Sequence, residues 1–212
     1  MQLIDDRTLG KGIRHLTKID NSFAAVISQY GQPPLWLRPP GFPTLLLIIL
    51  EQQVSLRSAR AAYDRLEEKL GRITTGRFLK LSDRELKGIG FSRQKIEYCR
   101  ELARHIENKT LDLEKLDQLE TGEVIASLTI VKGIGLWTAN IYLIMALRRS
   151  DIWPPGDLAL RKAFAGLKNL SELPDDAMLT DIAEKWRPWR AVAARILWHY
   201  YLSGQQPNGR GE

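Results

Sequence analysis

An all-α fold in two lobes is the architecture this sequence predicts, and three observations predict it. Apolar residues recur at helical spacing along nearly the whole chain. No stretch shows sustained two-residue alternation bounded by hairpin turns, so no sheet is expected. A proline-rich connector, with Pro33, Pro34, Pro39, Pro40 and Pro43, interrupts the helical pattern near residue 35 and marks a lobe boundary.

The elements follow in order. Asp20 or Asn21 can cap a helix that runs through Tyr30 and stops at Gly31. After the connector, a very apolar segment from about Thr44 to Gln52 reads as the central core helix. Ser55 caps the next helix, which runs to Leu70 and ends at Gly71. Ser82 and Glu85 form a capping box that opens a short helix. Residues 92–108 predict an amphipathic helix with Ile96, Cys99, Ala103 and Ile106 on one stripe. Further helices are expected at about 122–129, 136–148, 158–168, 175–186 and 189–203. The polar tail, residues 206–212, is expected to be disordered.

Composition narrows the function. The 212 residues carry 31 Lys+Arg against 25 Asp+Glu, a formal charge of +6. That excess suits a polyanion without requiring one. The single cysteine, Cys99, excludes a disulfide framework and any four-cysteine zinc or iron–sulfur site. In its helical setting Cys99 reads as a buried structural thiol. The N-terminus lacks a signal pattern, and the apolar run Leu45–Leu50 is far too short to cross a bilayer. A soluble cytoplasmic protein with no membrane partner is the expectation, nucleoid-associated if the source is bacterial or archaeal. His15, His105 and His199 show no metal-ligand spacing.

One string occurs twice. Leu86-Lys87-Gly88-Ile89-Gly90 returns 45 residues later as Val131-Lys132-Gly133-Ile134-Gly135, each copy between a short helix and a longer one. Two ordinary glycine joints would account for this, but so would a motif. In the second copy Gly133 and Gly135 leave the backbone open to a ligand, while Ile134 can plug into the core. The helix that follows offers unsatisfied amides and the positive end of its dipole, which together can hold a phosphate. Lys132 adds charge, and Thr138 would be a further donor.

The longer string K-G-I-G-x-W-T-A-N resembles the hairpin of the helix-hairpin-helix (HhH-GPD) DNA glycosylase superfamily. The likeness extends over roughly residues 20–205. Leu50-Glu51-Gln52-Gln53-Val54-Ser55 resembles the family's early core-helix signature, and Leu86–Ala103 its middle segment. Trp186-Arg187-Pro188-Trp189-Arg190 resembles the C-terminal W-x-P-W-R of the alkylation-repair branch, that of the 3-methyladenine glycosylase II type. The resemblance implies a central lobe over about 35–150 with the hairpin at about 128–146. It implies a second lobe from 1–34 plus 151–205, and a DNA-binding cleft between the two. Larger bacterial members carry an extra N-terminal β-rich domain, for which this chain has no room.

Asp157 lies twenty residues beyond Trp137, behind a stiff Trp153-Pro154-Pro155-Gly156 loop. Read structurally alone, it is a helix cap. By the resemblance it is the catalytic carboxylate. Breaking an N-glycosidic bond builds positive charge on the sugar, and an ionised carboxylate beside that cation stabilises the transition state. It can also orient or deprotonate the attacking water. Capping is compatible with this, since the helix's positive end favours a carboxylate.

Family members that also cut the backbone carry a lysine where this chain has Trp137. The resemblance therefore implies a monofunctional enzyme that releases the base by water and leaves the strand intact. It implies an alkylated purine, such as 3-methyladenine or 7-methylguanine, flipped out of double-stranded DNA by a monomer. Such bases are cationic, and aromatic faces attract them. Trp137 and Trp198 correspond to pocket aromatics, with Tyr142 one place beyond a pocket position filled by Ile141. Leu158 also stands where the family often has an aromatic, so the pocket is less aromatic here. Core packing is the alternative for each aromatic. Gln52 and Gln53 correspond to the wedge that fills the gap in the base stack, with Gln53 inserting; alternatively they only finish the core helix. No iron–sulfur cluster or other cofactor is implied, although the hairpin–phosphate contact leaves room for a monovalent cation. The competing functional reading is a non-catalytic helix-hairpin-helix protein that binds distorted DNA. Asp157 at its distance behind Trp137 favours the enzyme.

Overall fold

A computed structural model describes residues 2–205; the tail expected to be disordered lies outside the described residues. Among these residues there are twelve helices, α1 (Asp6–Ile19), α2 (Asn21–Tyr30), α3 (Phe42–Glu51), α4 (Leu56–Leu70), α5 (Thr75–Leu79), α6 (Asp83–Gly88), α7 (Arg93–Glu107), α8 (Thr121–Thr129), α9 (Leu136–Met145), α10 (Leu158–Leu167), α11 (Asp176–Glu184) and α12 (Arg190–Gln205). The only β feature among them is an isolated bridge between Leu3 and Arg149. The chain divides into two compact units, one of residues 1–37 with 148–212, the other of residues 38–147.

The second unit is built around α3. Leu45, Leu46, Ile48, Ile49 and Leu50 are all buried, so the helix is apolar on every side and packs against α4, α7 and α9. Each such aliphatic side chain contributes about 1.5–3 kcal/mol on burial. The stripe of α7 contains Ile96, Cys99 and Ala103 as expected. Leu102 completes it, because Ile106 near the C-terminal end is only half-buried. Burial pushes the Cys99 thiol far above its ordinary range, which makes it inert.

In the first unit α12 is the hub, touching α1, α2, α10 and α11. Helix α1 is absent from the sequence reading, and it contains two glycines, Gly10 and Gly12. Asp5 and Thr8 close a capping box at its start. Gly12 faces the start of α12 closely: a Cβ there would lie 2.8 Å from both Trp189, just before that helix, and Val192 within it. Glycine serves here to let two helices approach. The short α5 is also absent from the sequence reading; Thr74 caps it and Phe78 anchors it in the interior.

Candidate functional site

The hairpin in the second unit joins α8 to α9 through residues 130–135. Gly133 has φ +94°, and the ring of Tyr98 covers the space a side chain would need, 2.1 Å from the Cβ position. Ile134 is buried and anchors the turn, while Gly135 stands exposed as the N-cap of α9 with no side-chain cap. The first amides of α9 therefore begin beside an open glycine surface, the arrangement that accepts an anion. Lys132 is exposed and paired with Glu97 of α7, which raises the lysine above its ordinary range.

Two glutamines at the end of α3 divide in role. The Nε2 of Gln52 donates to the carbonyl oxygen of Gly133 and to Oγ1 of Thr138, each at 2.9 Å. Gln52 is thus a strut under the hairpin and not a free wedge. Thr138, expected to face a phosphate, is 2% exposed and its oxygen is engaged by Gln52. The inward face of α9 is what buries it. Gln53, by contrast, is exposed and adopts φ +57° at the tip between α3 and α4. Lys95 of α7 donates to the carbonyl oxygen of Leu50, closing the end of α3 just before that tip. Burial lowers this lysine below its ordinary range.

Around these residues lies a groove of ≈ 630 Å³ within the second unit, lined among others by Gln52, Gln53, Gly90, Lys95, Tyr98 and Gly133. Both copies of the repeated string therefore border one depression. The two copies are secured differently. Gln52 binds the carbonyl of Gly133, while Nε of Arg65 donates to the carbonyl of Ile89 at 2.9 Å.

In the first unit Asp157 is the N-cap of α10. Its Oδ1 accepts the amide hydrogen of Leu160 at 2.9 Å, and the residue is 8% exposed. Helix α10 packs against α12, which carries Trp198. Trp198 is also 8% exposed, whereas Trp137, in the first turn of α9, is half-buried. Tyr142 corrects the sequence expectation. It is completely buried, and its hydroxyl accepts the amide hydrogen of Gly41 at 2.9 Å, so it is a core strut of the second unit. Its spacing of five from Trp137 turns it toward the interior of α9.

Sequence reasoning misses the supports: Lys95, Glu97 and the Gln52 bridge in one unit, Asp151, Asp176 and Arg190 in the other. Gln52 and Arg190 carried a signal through their places in the Leu50–Ser55 and W-x-P-W-R strings, and Lys95 and Glu97 only by lying within the Leu86–Ala103 segment. Among the described residues no group of three or more His, Cys, Asp or Glu side chains is placed to hold a metal ion, and no helix is long and apolar enough to cross a membrane.

Comparison with known proteins gives a consistent result. The DNA-3-methyladenine glycosylase 1 of Schizosaccharomyces pombe is 28% identical over 198 residues, covering 90% of this chain and 87% of the relative. The solved 3-methyladenine DNA glycosylase of that yeast, in complex with abasic DNA, superposes with a TM-score of 0.83 at 26% identity, over 89% of this chain and 95% of that one. A DNA-3-methyladenine glycosidase structure from Bacillus halodurans has a TM-score of 0.74 at 31% identity, over 97% and 95% of the two chains. The family model described as HhH-GPD superfamily base excision DNA repair protein matches residues 46–188, and the chain belongs to that superfamily.

Proposed function

We propose that this protein is a DNA glycosylase that releases alkylated purines of the 3-methyladenine and 7-methylguanine type from double-stranded DNA in base excision repair. The observation that carries the reading is Asp157, a nearly buried carboxylate fixed by its own helix at the head of α10. A carboxylate held in that way needs no reorganisation when positive charge develops on the sugar. As the N-glycosidic bond breaks, the base leaves with its bonding electrons and C1′ becomes cationic. Asp157 stabilises that cation and orients a water whose oxygen forms the new bond to C1′, the water's proton passing to the carboxylate or to solvent.

Trp137 offers no amine, so no Schiff base forms at that position and the strand stays intact. Trp137 and Trp198 supply aromatic faces for a cationic base. Exposed Gln53 fills the vacated stack, and the open surface at Gly135, at the turn that Gly133 forms, anchors a phosphate, helped by Lys132. The enzyme works as a monomer without a resident cofactor.

The test is base release from methylated duplex DNA, comparing wild type with Asp157→Asn. Asparagine caps helices as well as aspartate does, so this variant keeps its fold and loses only the charge. Release by wild type and near-abolition in Asp157→Asn supports the reading, with strand breaks appearing only after alkali. Tight binding with no release by either protein, across methylated, ethenoadenine and hypoxanthine substrates, would favour a non-catalytic DNA binder.

A further inference from the structure

The segment that carries Asp157 is held from outside at both ends. At its start, Asp151 receives Nε of Arg190 at 2.8 Å on one carboxylate oxygen and Nη1 of Arg187 at 2.6 Å on the other. Nη2 of Arg190 also donates to the backbone carbonyl of Asp151 at 3.0 Å. Glu184 lies across both arginines, bonded to Nη1 of Arg190 and to Nε of Arg187, each at 2.6 Å. In the middle, Trp153 packs edge-on against Trp186, with ring centroids 5.4 Å apart. At its end, the amide of Gly156, the residue before Asp157, donates to Oδ1 of Asp176 at 2.5 Å. Arg161, one turn into α10, binds the carbonyl of Pro174 at 2.7 Å and so keeps the start of α11 beside the start of α10.

These contacts involve more than burial requires. The Arg190 side chain is only 14% exposed, and its guanidinium binds both the carboxylate and the backbone carbonyl of Asp151 as well as the carboxylate of Glu184. The carboxylate of Asp176 is spent on a single backbone amide, although Asp175 already caps α11 by accepting from Met178. Helix capping therefore does not explain Asp176.

We propose that Asp176 and Arg190 are positioning residues that set the 151–157 segment, and through it Asp157, for base release, an inference that rests on Asp157 being the catalytic carboxylate. Asp176 fixes the peptide immediately before Asp157, and Arg190 fixes the point where the segment leaves the body of the unit. The W-x-P-W-R string then has a physical role: its first tryptophan and its last arginine hold the segment at two separate points. A small displacement of a catalytic group is enough to matter, because effective catalysis depends on placement within about 1 Å.

The test is single-turnover base release from methylated duplex DNA, alongside affinity for an abasic duplex and thermal melting. The variants are Asp176→Ala, Asp176→Asn and Arg190→Lys, with Asp157→Asn in parallel. Asp176→Ala is expected to slow release about 10- to 100-fold, with abasic-DNA affinity within about twofold of wild type. Asp176→Asn recovers most of the rate, since its amide oxygen can accept the same N–H. Arg190→Lys keeps the charge but loses the forked contact, and slows release without weakening binding. Unchanged release in Asp176→Ala and Arg190→Lys, with Asp157→Asn inactive, would overturn the positioning role alone. Parallel loss of rate, affinity and melting temperature would also overturn it, by showing a general structural role. An active Asp157→Asn would instead overturn the catalytic assignment beneath it.

Discussion

Gln52 reaches across 81 residues of sequence to donate to the carbonyl oxygen of Gly133 at 2.9 Å, and the same nitrogen serves Thr138. The end of α3 and the turn of the hairpin are thereby one rigid piece. Gln53, the next residue, projects from that piece with its backbone in the left-handed region.

Replacing Gln52 with alanine removes both bonds and leaves a buried hydroxyl to find another partner. The expected cost is about 1–3 kcal/mol in stability. Affinity for duplex DNA should fall as well, while its dependence on salt stays the same, because no charge has been removed. Denaturant melts and binding across a salt series check both halves; a changed salt slope would mean that Gln52 does not act through the hairpin.

Lys132 and Glu97 give the opposite signature. Both are well exposed, so solvent screens the pair and it adds little to stability. Its larger consequence is for DNA, since Glu97 competes with phosphate for the lysine. Lys132→Ala should weaken binding to all sequences alike and lower the salt slope by about one. Glu97→Gln should tighten binding at low salt by up to about fivefold, the equivalent of releasing such a pair. If Glu97→Gln leaves affinity unchanged, the lysine is not contacting the backbone.

Most helix boundaries were legible in the sequence because caps are local. Asp20, Ser55, Ser82 and Asp157 each accept from an amide two or three residues ahead, a relation that spacing alone exposes. What stayed hidden is non-local. Nothing near Thr138 announces that its hydroxyl meets Gln52, and nothing near Asp176 announces Gly156. Tyr142 failed for a related reason: its spacing puts it on α9, but only the packed fold shows that Gly41 fills its hydroxyl. Helix α1 is hidden for the same reason, since the close contact that Gly12 permits with Trp189 and Val192 is seen only once the partner helix is in place.

Acid titration should isolate the capping box of α6. Glu85 accepts the amide and hydroxyl of Ser82 and pairs with Lys69, and the Ser82 backbone bond leads in holding its pKa near 2, down from 4.5. A depressed pKa means that the folded form prefers the ionised carboxylate. Its stabilisation is therefore fully present above about pH 4.5 and disappears as pH falls toward 2. Thermal melts of wild type and Glu85→Gln should differ most above pH 5 and converge near pH 2. A gap that persists at pH 2 would show that the difference does not come from this titration.

The glycines of the hairpin separate folding from binding. At Gly133, φ is +94° and the Tyr98 ring lies 2.1 Å from an added Cβ, so Gly133→Ala meets both backbone strain and a clash. The backbone part alone is about 1–3 kcal/mol, and the ring adds to it. Pairing Gly133→Ala with Tyr98→Ala should recover the steric part and leave the strain. At Gly135, φ is −94° and beyond its chain neighbours nothing lies within 4 Å of the Cβ position, so Gly135→Ala should fold as well as wild type. If a phosphate comes up against the backbone there, that added methyl group stands in its way. Gly135→Ala is then expected to lose DNA affinity at unchanged melting temperature. Wild-type affinity in this variant would place the phosphate contact elsewhere than on the exposed glycine surface.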